Sequence, residues 1–215
     1  MKKSEAIWSE LREHLPFSLG ASLLAGILVA VLYNFGSVPS EELFEFLHPA
    51  HVLVSAVATS AIYWRYRGSM VGGRWSMAGG EWVKAVLVGV VGAILIGTLS
   101  DVLLPWLAGN LFSLHTHLHL PILEEPILIL GVALVGSVIG MYRDFFNVGH
   151  SLHIFLSVFA SLFYLLAFSV ELGSLGIVLV SVLVFVAVYV PCCISDIVFP
   201  LLFVDKACKK CGHFH

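Results

Sequence analysis

Two histidine pairs of identical spacing are the groups in this chain best suited to chemistry. His48-Pro-Ala-His51 precedes the apolar run Val52 to Trp64, and His150-Ser-Leu-His153 leads into Ile154 to Phe168. Residues three apart on a helix share a face, so each pair presents two imidazoles together. Downstream of each pair comes a matching stretch with a carboxylate, Leu99-Ser-Asp101-Val-Leu-Leu-Pro105 and Ile194-Ser-Asp196-Ile-Val-Phe-Pro200. Two histidines and an aspartate suit Zn²⁺, Mn²⁺, Fe²⁺, Co²⁺ or Ni²⁺. The expected ligand sets are therefore His48, His51 and Asp101, and His150, His153 and Asp196, holding a divalent or heavy-metal ion.

More ligand types gather around these sets. His115, His117 and His119 alternate through Leu114 to Leu120, ahead of the adjacent Glu124 and Glu125. Cys192 and Cys193 precede Asp196, and the tail Cys208-Lys-Lys-Cys211-Gly-His213-Phe-His215 offers two thiols and two imidazoles in eight residues. Cys-x-x-Cys is a standard zinc-ligand spacing, so the tail fits a metal sensor, a buffer or a docking site for a cytoplasmic metal carrier. Plainer readings exist for each. A lone histidine such as His14 near a helix end is ordinarily interfacial, a buried cysteine is a small apolar residue, and Ser-Asp-x-x-x-Pro can mark a helix ending before proline. Duplication of the histidine pair together with its aspartate sets those residues apart.

The elements that must carry them are apolar. Hydrophobic residues make up 59% of the chain, charged residues 12%, and mean hydropathy is +0.98, whereas about a quarter of the residues in soluble domains are charged. The composition predicts an all-α integral membrane protein. A spanning helix needs roughly 20 mainly apolar residues, and six segments qualify, at about 17–36, 43–64, 83–107, 122–142, 149–170 and 173–203. None repeats a polar face every three to four residues as a soluble bundle would. The first apolar run lacks a small-residue cleavage signature, predicting an anchored helix rather than a removed signal peptide.

Six crossings place all eleven basic residues on one side: Lys2, Lys3, Arg12, Arg65, Arg67, Arg74, Lys84, Arg143, Lys206, Lys209 and Lys210. Lys and Arg stay cytoplasmic, so both termini are expected in the cytoplasm, with the chain in the plasma membrane.

The histidine pairs also sit inside a longer internal likeness. His51-Val-Leu-Val-Ser55-Ala-Val-Ala58 aligns with His153-Ile-Phe-Leu-Ser157-Val-Phe-Ala160, and His14-Leu-Pro16 followed by Gly26 echoes His119-Leu-Pro121 followed by Gly131. Three matches in one order, at offsets falling from 105 to 102 to 95 residues, predict two divergent halves. The expected organisation is a cytoplasmic segment 1–13, a three-helix repeat 14–107, an outer His-containing loop 108–118, a second three-helix repeat 119–203 and a Cys/His tail 204–215. An odd number of spans per repeat inverts the second half relative to the first. Inversion sends the first ligand set to the outer face, beside Glu41, Glu42, Glu45 and the His-rich loop, and the second to the inner face, beside the cysteines. An outer surface of one sign concentrates counter-ions. Gly20, Gly26, Gly89, Gly92, Gly97, Gly131, Gly136 and Gly140 are expected to let helices approach closely.

These features predict a membrane transporter, a permease for a divalent or heavy-metal cation such as zinc, with outer and inner His/Asp stations exposed in turn as one repeat moves against the other. The expected partners are the lipid bilayer and the metal ion, with no role for nucleic acid. A second reading is a haem-binding redox protein, although histidines three apart beside an aspartate fit haem ligation poorly. A third is a membrane-embedded metalloenzyme. Such an enzyme would gather its ligands at one face, and the chain has no His-Glu-x-x-His zinc motif, Ser-His-Asp arrangement or Gly-rich phosphate loop, so a non-enzymatic role is expected.

Overall fold

The computed structural model describes residues 3–34, 39–67, 69–71, 74–76, 80–142, 146–169, 184, 188, 191–192 and 194–204, with His14, His150 and Asp196 described by their backbone course alone. The regular structure of the described residues is helical apart from one short hairpin, and residues 112–120 form a loop. Helix α1 runs Lys3–Asn34 and α2 runs Ser40–Arg67. α2 begins where Glu41 and Glu42 place two carboxylates in its first turn, complementing the positive end of the helix dipole. It continues unbroken through Pro49. His51 thus lies eleven residues inside the helix, about 16 Å from its start at 1.5 Å per residue, and not at the helix opening that the apolar run Val52 to Trp64 suggests.

The connection after α2 holds an antiparallel hairpin, β1 (Ser69–Val71) with β2 (Arg74–Ser76), in the register Ser69 to Ser76, Met70 to Trp75 and Val71 to Arg74. Its sequence signal is Gly72-Gly73, a two-residue glycine link of the kind tight hairpins use.

The third apolar segment is one helical rod of three parts. α3 (Glu81–Thr98) passes into a π-helical turn, Leu99–Leu103, and then into α4 (Leu104–Leu111). Pro105 stands at the second position of α4, and a proline ring collides with the carbonyl four residues before it, here that of Asp101. The wider π turn relieves that collision, and it turns a helix-breaking signal into a bulge of a kind frequent at functional sites. A second π turn, Ile194–Val198, precedes α8 (Phe199–Leu202), again with proline, Pro200, at the helix's second position. Both Ser-Asp-x-x-x-Pro stretches therefore continue as helix instead of ending it.

The fourth apolar segment is broken at Glu125, between the single turn α5 (Pro121–Glu124) and α6 (Pro126–Tyr142), and α7 spans Phe146–Phe168. α2 packs against α3, α6 and α7, and α7 also packs on α1. α2 and α7 are antiparallel. Phe44 near the start of α2 meets Tyr164 and Phe168 near the end of α7, at 5.2 and 5.8 Å between ring centroids, and His51 meets His153 near the start of α7.

α3 is inside-out by the standard of a soluble helix. Its buried face carries Ala85, Gly89, Gly92, Ala93 and Gly97, and Val83, Leu87, Val91 and Leu95 form an exposed stripe. Small residues inward and large apolar residues outward are the pattern of helices that face lipid. On α6, a Cβ at Gly136 or Gly140 would meet the carbonyls of Leu53 or Val57, so those two glycines do set the close approach of α6 to α2. Gly20, Gly26 and Gly131 have open space around them and set none among the described residues. Two helical stretches, Ser40–Tyr66 and Glu81–Leu111, are long and apolar enough to cross a membrane, and Pro126–Met141 and Leu152–Phe168 are shorter apolar helices.

Candidate metal centre

The π turn directs Asp101 into the interior, where it is fully buried with His48 and His51. One carboxylate oxygen, Oδ2, lies 2.8 Å from His48 Nδ1 and 2.5 Å from His51 Nδ1. Donors sharing a tetrahedral ion at 2.0–2.1 Å stand about 3.4 Å apart, so these shorter separations are hydrogen bonds, each Nδ1–H donating to the carboxylate. That fixes the tautomer of both rings. Nδ1 carries the hydrogen, and Nε2 of His48 and of His51 is left buried without a hydrogen-bond partner. A histidine whose Nδ1–H is held by a carboxylate while Nε2 is open is the usual preparation for metal ligation. An orphaned polar atom in a dry interior otherwise costs about 1–3 kcal/mol.

Serines hold the other carboxylate oxygen. Ser157 Oγ donates to Asp101 Oδ1 at 2.7 Å, and Ser100 Oγ lies 3.0 Å from the same atom. Ser161, one turn further along α7, donates to the Ser157 carbonyl at 2.7 Å and lies 3.1 Å from the Ser100 carbonyl. The Cys192 thiol approaches Ser157 Oγ at 3.4 Å. The π turn, α7 and Cys192 are thus joined through Asp101 and Ser157 at one level of the fold.

His153 belongs to this same centre. Its ring stacks on that of His51, with centroids 4.5 Å apart and planes at 19°. Two groups of potential ligands follow, His48 with His51 and Asp101, and His51 with His153 and Cys192, in each of which the donor atoms lie within 4.8 Å of one another. All of these side chains are fully buried. His153 is therefore not part of a separate set on the opposite face. The cause is the antiparallel packing of α2 on α7, which sets Phe44 against Tyr164 and Phe168 and brings His51, well inside α2, level with His153 in the first third of α7.

The residues of the loop between α4 and α5 are arranged differently. His115 and His117 are exposed, His115 with φ of 47°. The loop is tied to α7 through its backbone, with His117 N–H donating to the Phe168 carbonyl at 2.9 Å and Tyr164 Oη donating to the His117 carbonyl at 2.9 Å. His119 Nδ1 lies 3.0 Å from Glu124 Oε1, and its ring stacks on Phe168 at 4.6 Å. Glu124 and Glu125 are exposed. Among the described residues, none of His115, His117, His119, Glu124 or Glu125 joins a converging group of three ligands. The side chains of His150 and Asp196, and residues Cys193, Cys208, Cys211, His213 and His215, lie outside what is described.

Three kinds of contributor are absent from the sequence expectations. Ser100, Ser157 and Ser161 carry the carboxylate network, and the alignment of Ser55 with Ser157 was the available signal for one of them. Tyr164 anchors the loop between α4 and α5. Phe44 stacks on His48 at 5.6 Å and meets His119 edge-on at 5.9 Å, so one ring separates the buried centre from the loop. The chain matches no protein-family profile, no curated protein and no solved structure.

Proposed function

We propose that the chain is an integral membrane permease for a divalent or heavy-metal cation, with one buried station in place of separate outer and inner ones. The observation that carries this reading is the pair of orphaned Nε2 atoms on His48 and His51, held by Asp101 inside an apolar fold. Six crossings with cytoplasmic termini remain the arrangement that collects every Lys and Arg on one side. An inverted repeat is supported by two relationships. The helices bearing the duplicated histidines are antiparallel and meet at the equivalent residues His51 and His153, as counterparts beside a two-fold axis do. The two Ser-Asp stretches both adopt π turns ahead of a helix with proline second. A station at the repeat interface near mid-membrane suits alternating access.

A membrane-embedded metalloenzyme is the second reading. The convergence of His51, His153 and Cys192 favours it, because an enzyme would gather its ligands around one site. The full burial of those ligands favours the permease, since an enzyme keeps a position open to substrate.

Elemental analysis of the purified protein and ion flux into proteoliposomes test the proposal together. The expected result is a transition metal retained by the wild type and a flux that Asp101→Ala abolishes. Absence of any retained transition metal, with flux unchanged by Asp101→Ala, overturns it.

A further inference from the structure

We infer that the station takes a thiophilic ion, of the zinc, cadmium or copper(I) kind, bound by Cys192 Sγ together with His51 and His153. This rests on the metal-permease reading and specifies its cargo. The three donors come from three separate helical stretches, α2, α7 and the residues around Cys192, so their approach is a product of the fold and not of local sequence. They lie within 4.8 Å of one another and are fully buried. A tetrahedral site with metal–nitrogen bonds of 2.0–2.1 Å and a metal–sulfur bond near 2.3 Å has donors roughly 3.5 Å apart. Closure on an ion therefore asks the donors to draw together by at most about an ångström.

Two further observations bear on that closure. His51 has its Nδ1 committed to Asp101, which leaves Nε2 as its metal-binding atom. Val184, Val188 and Cys192 recur at four-residue spacing and are all buried. The Cys192 sulfur is directed at the polar network, 3.4 Å from Ser157 Oγ, one turn of α7 beyond His153. As the sulfur–metal bond forms, the thiol proton passes to the buffer. A thiolate beside two imidazoles favours Zn²⁺, Cd²⁺ or Cu⁺ and disfavours Mg²⁺, Ca²⁺ and Mn²⁺, which seek oxygen ligands. Asp101 keeps its hydrogen bonds to the imidazoles as an outer carboxylate.

The test uses the full chain in detergent with Cys193, Cys208 and Cys211 changed to serine, leaving Cys192 as the single thiol. Co²⁺ and Cd²⁺ are titrated in turn and followed in the ultraviolet. A sulfur-to-metal charge-transfer band that disappears in the further variant Cys192→Ser, with Cd²⁺ affinity falling roughly a hundredfold, supports the inference. X-ray absorption of the zinc-loaded single-thiol protein should show one sulfur neighbour. Bound Co²⁺ with no charge-transfer band and no sulfur neighbour overturns the thiophilic assignment and leaves the His/Asp centre standing. Failure of the native chain to bind any of these ions overturns both.

Discussion

The imidazole of His51 lies flat against that of His153, 4.5 Å between centroids, and the two residues hold the same place in the two aligned apolar runs. Their contact means that α2 and α7 each supply one side of the centre. Asp101 is the group on which that centre turns, because it orders two imidazoles through one oxygen and Ser157 through the other.

Asp101→Asn should therefore disarm the centre with little change in shape. An amide nitrogen facing the two imidazoles opposes donor to donor. If the rings respond by moving their hydrogens to Nε2, the metal-binding atoms are blocked instead. Either way metal affinity is expected to fall about 10–100-fold, and the apoprotein to lose about 1–3 kcal/mol. Chelator competition and thermal unfolding in one detergent measure the two effects. Unchanged affinity would show that Asp101 does not orient the ligands.

Gly140→Ala and Gly131→Ala make a matched pair on α6. A Cβ at Gly140 would be driven into Ser60 Oγ and the Val57 carbonyl, whereas a Cβ at Gly131 meets nothing within 4 Å. The first should destabilise by about 1–3 kcal/mol through overpacking. The second should be neutral or stabilise by up to about 1 kcal/mol, because alanine suits a helix better than glycine. Equal melting temperatures for the two variants would contradict the close α2–α6 packing.

The sequence made the helices legible because their signal is local: four apolar segments match α2, the α3-to-α4 rod, α5 with α6, and α7 closely, while α1 extends its segment back to Lys3 through the charged residues ahead of it. It also named His48, His51, Asp101, His153 and Cys192 as ligands. The inverted-repeat expectation sets His153 on the face opposite His51, whereas the two rings stack, because which helices meet, and at what level, is decided by packing and not by local sequence. The π turn at Asp101 is not legible in the sequence, where Pro105 signals only that a helix can end, because only the backbone reveals that the turn widens. Serines 100, 157 and 161 carry no metal-ligand signature, and their role arises only once the π turn and α7 are side by side.

Sidedness of the six-crossing arrangement is open to a direct check. In a chain with its native cysteines replaced, His117→Cys, at an exposed loop position, should react with a membrane-impermeant maleimide added to intact cells. Arg74→Cys, in the hairpin strand β2, should react only after permeabilisation, because Lys and Arg connections stay cytoplasmic. Labelling of both from the same side would invert or break the proposed topology.

Phe44 is the ring between the α4–α5 loop and the buried centre. It covers His48 on one side and touches His119, Tyr164 and Phe168 on the other, and it is itself fully buried. Phe44→Ala should remove about 3–5 kcal/mol of stability through the cavity it leaves. Because that cavity adjoins polar groups, it should also admit water, which an apolar void would exclude. The consequence is specific to the position: a small thiol reagent should reach Cys192 at least about tenfold faster in Phe44→Ala than in wild type, each with Cys192 as its only thiol. Phe44→Leu, which refills most of the volume, should restore most of the stability and much of the protection. If Phe44→Ala lowers the melting temperature while leaving Cys192 reactivity unchanged under folded conditions, the ring packs the helices without sealing the centre. The ion's route would then have to run elsewhere.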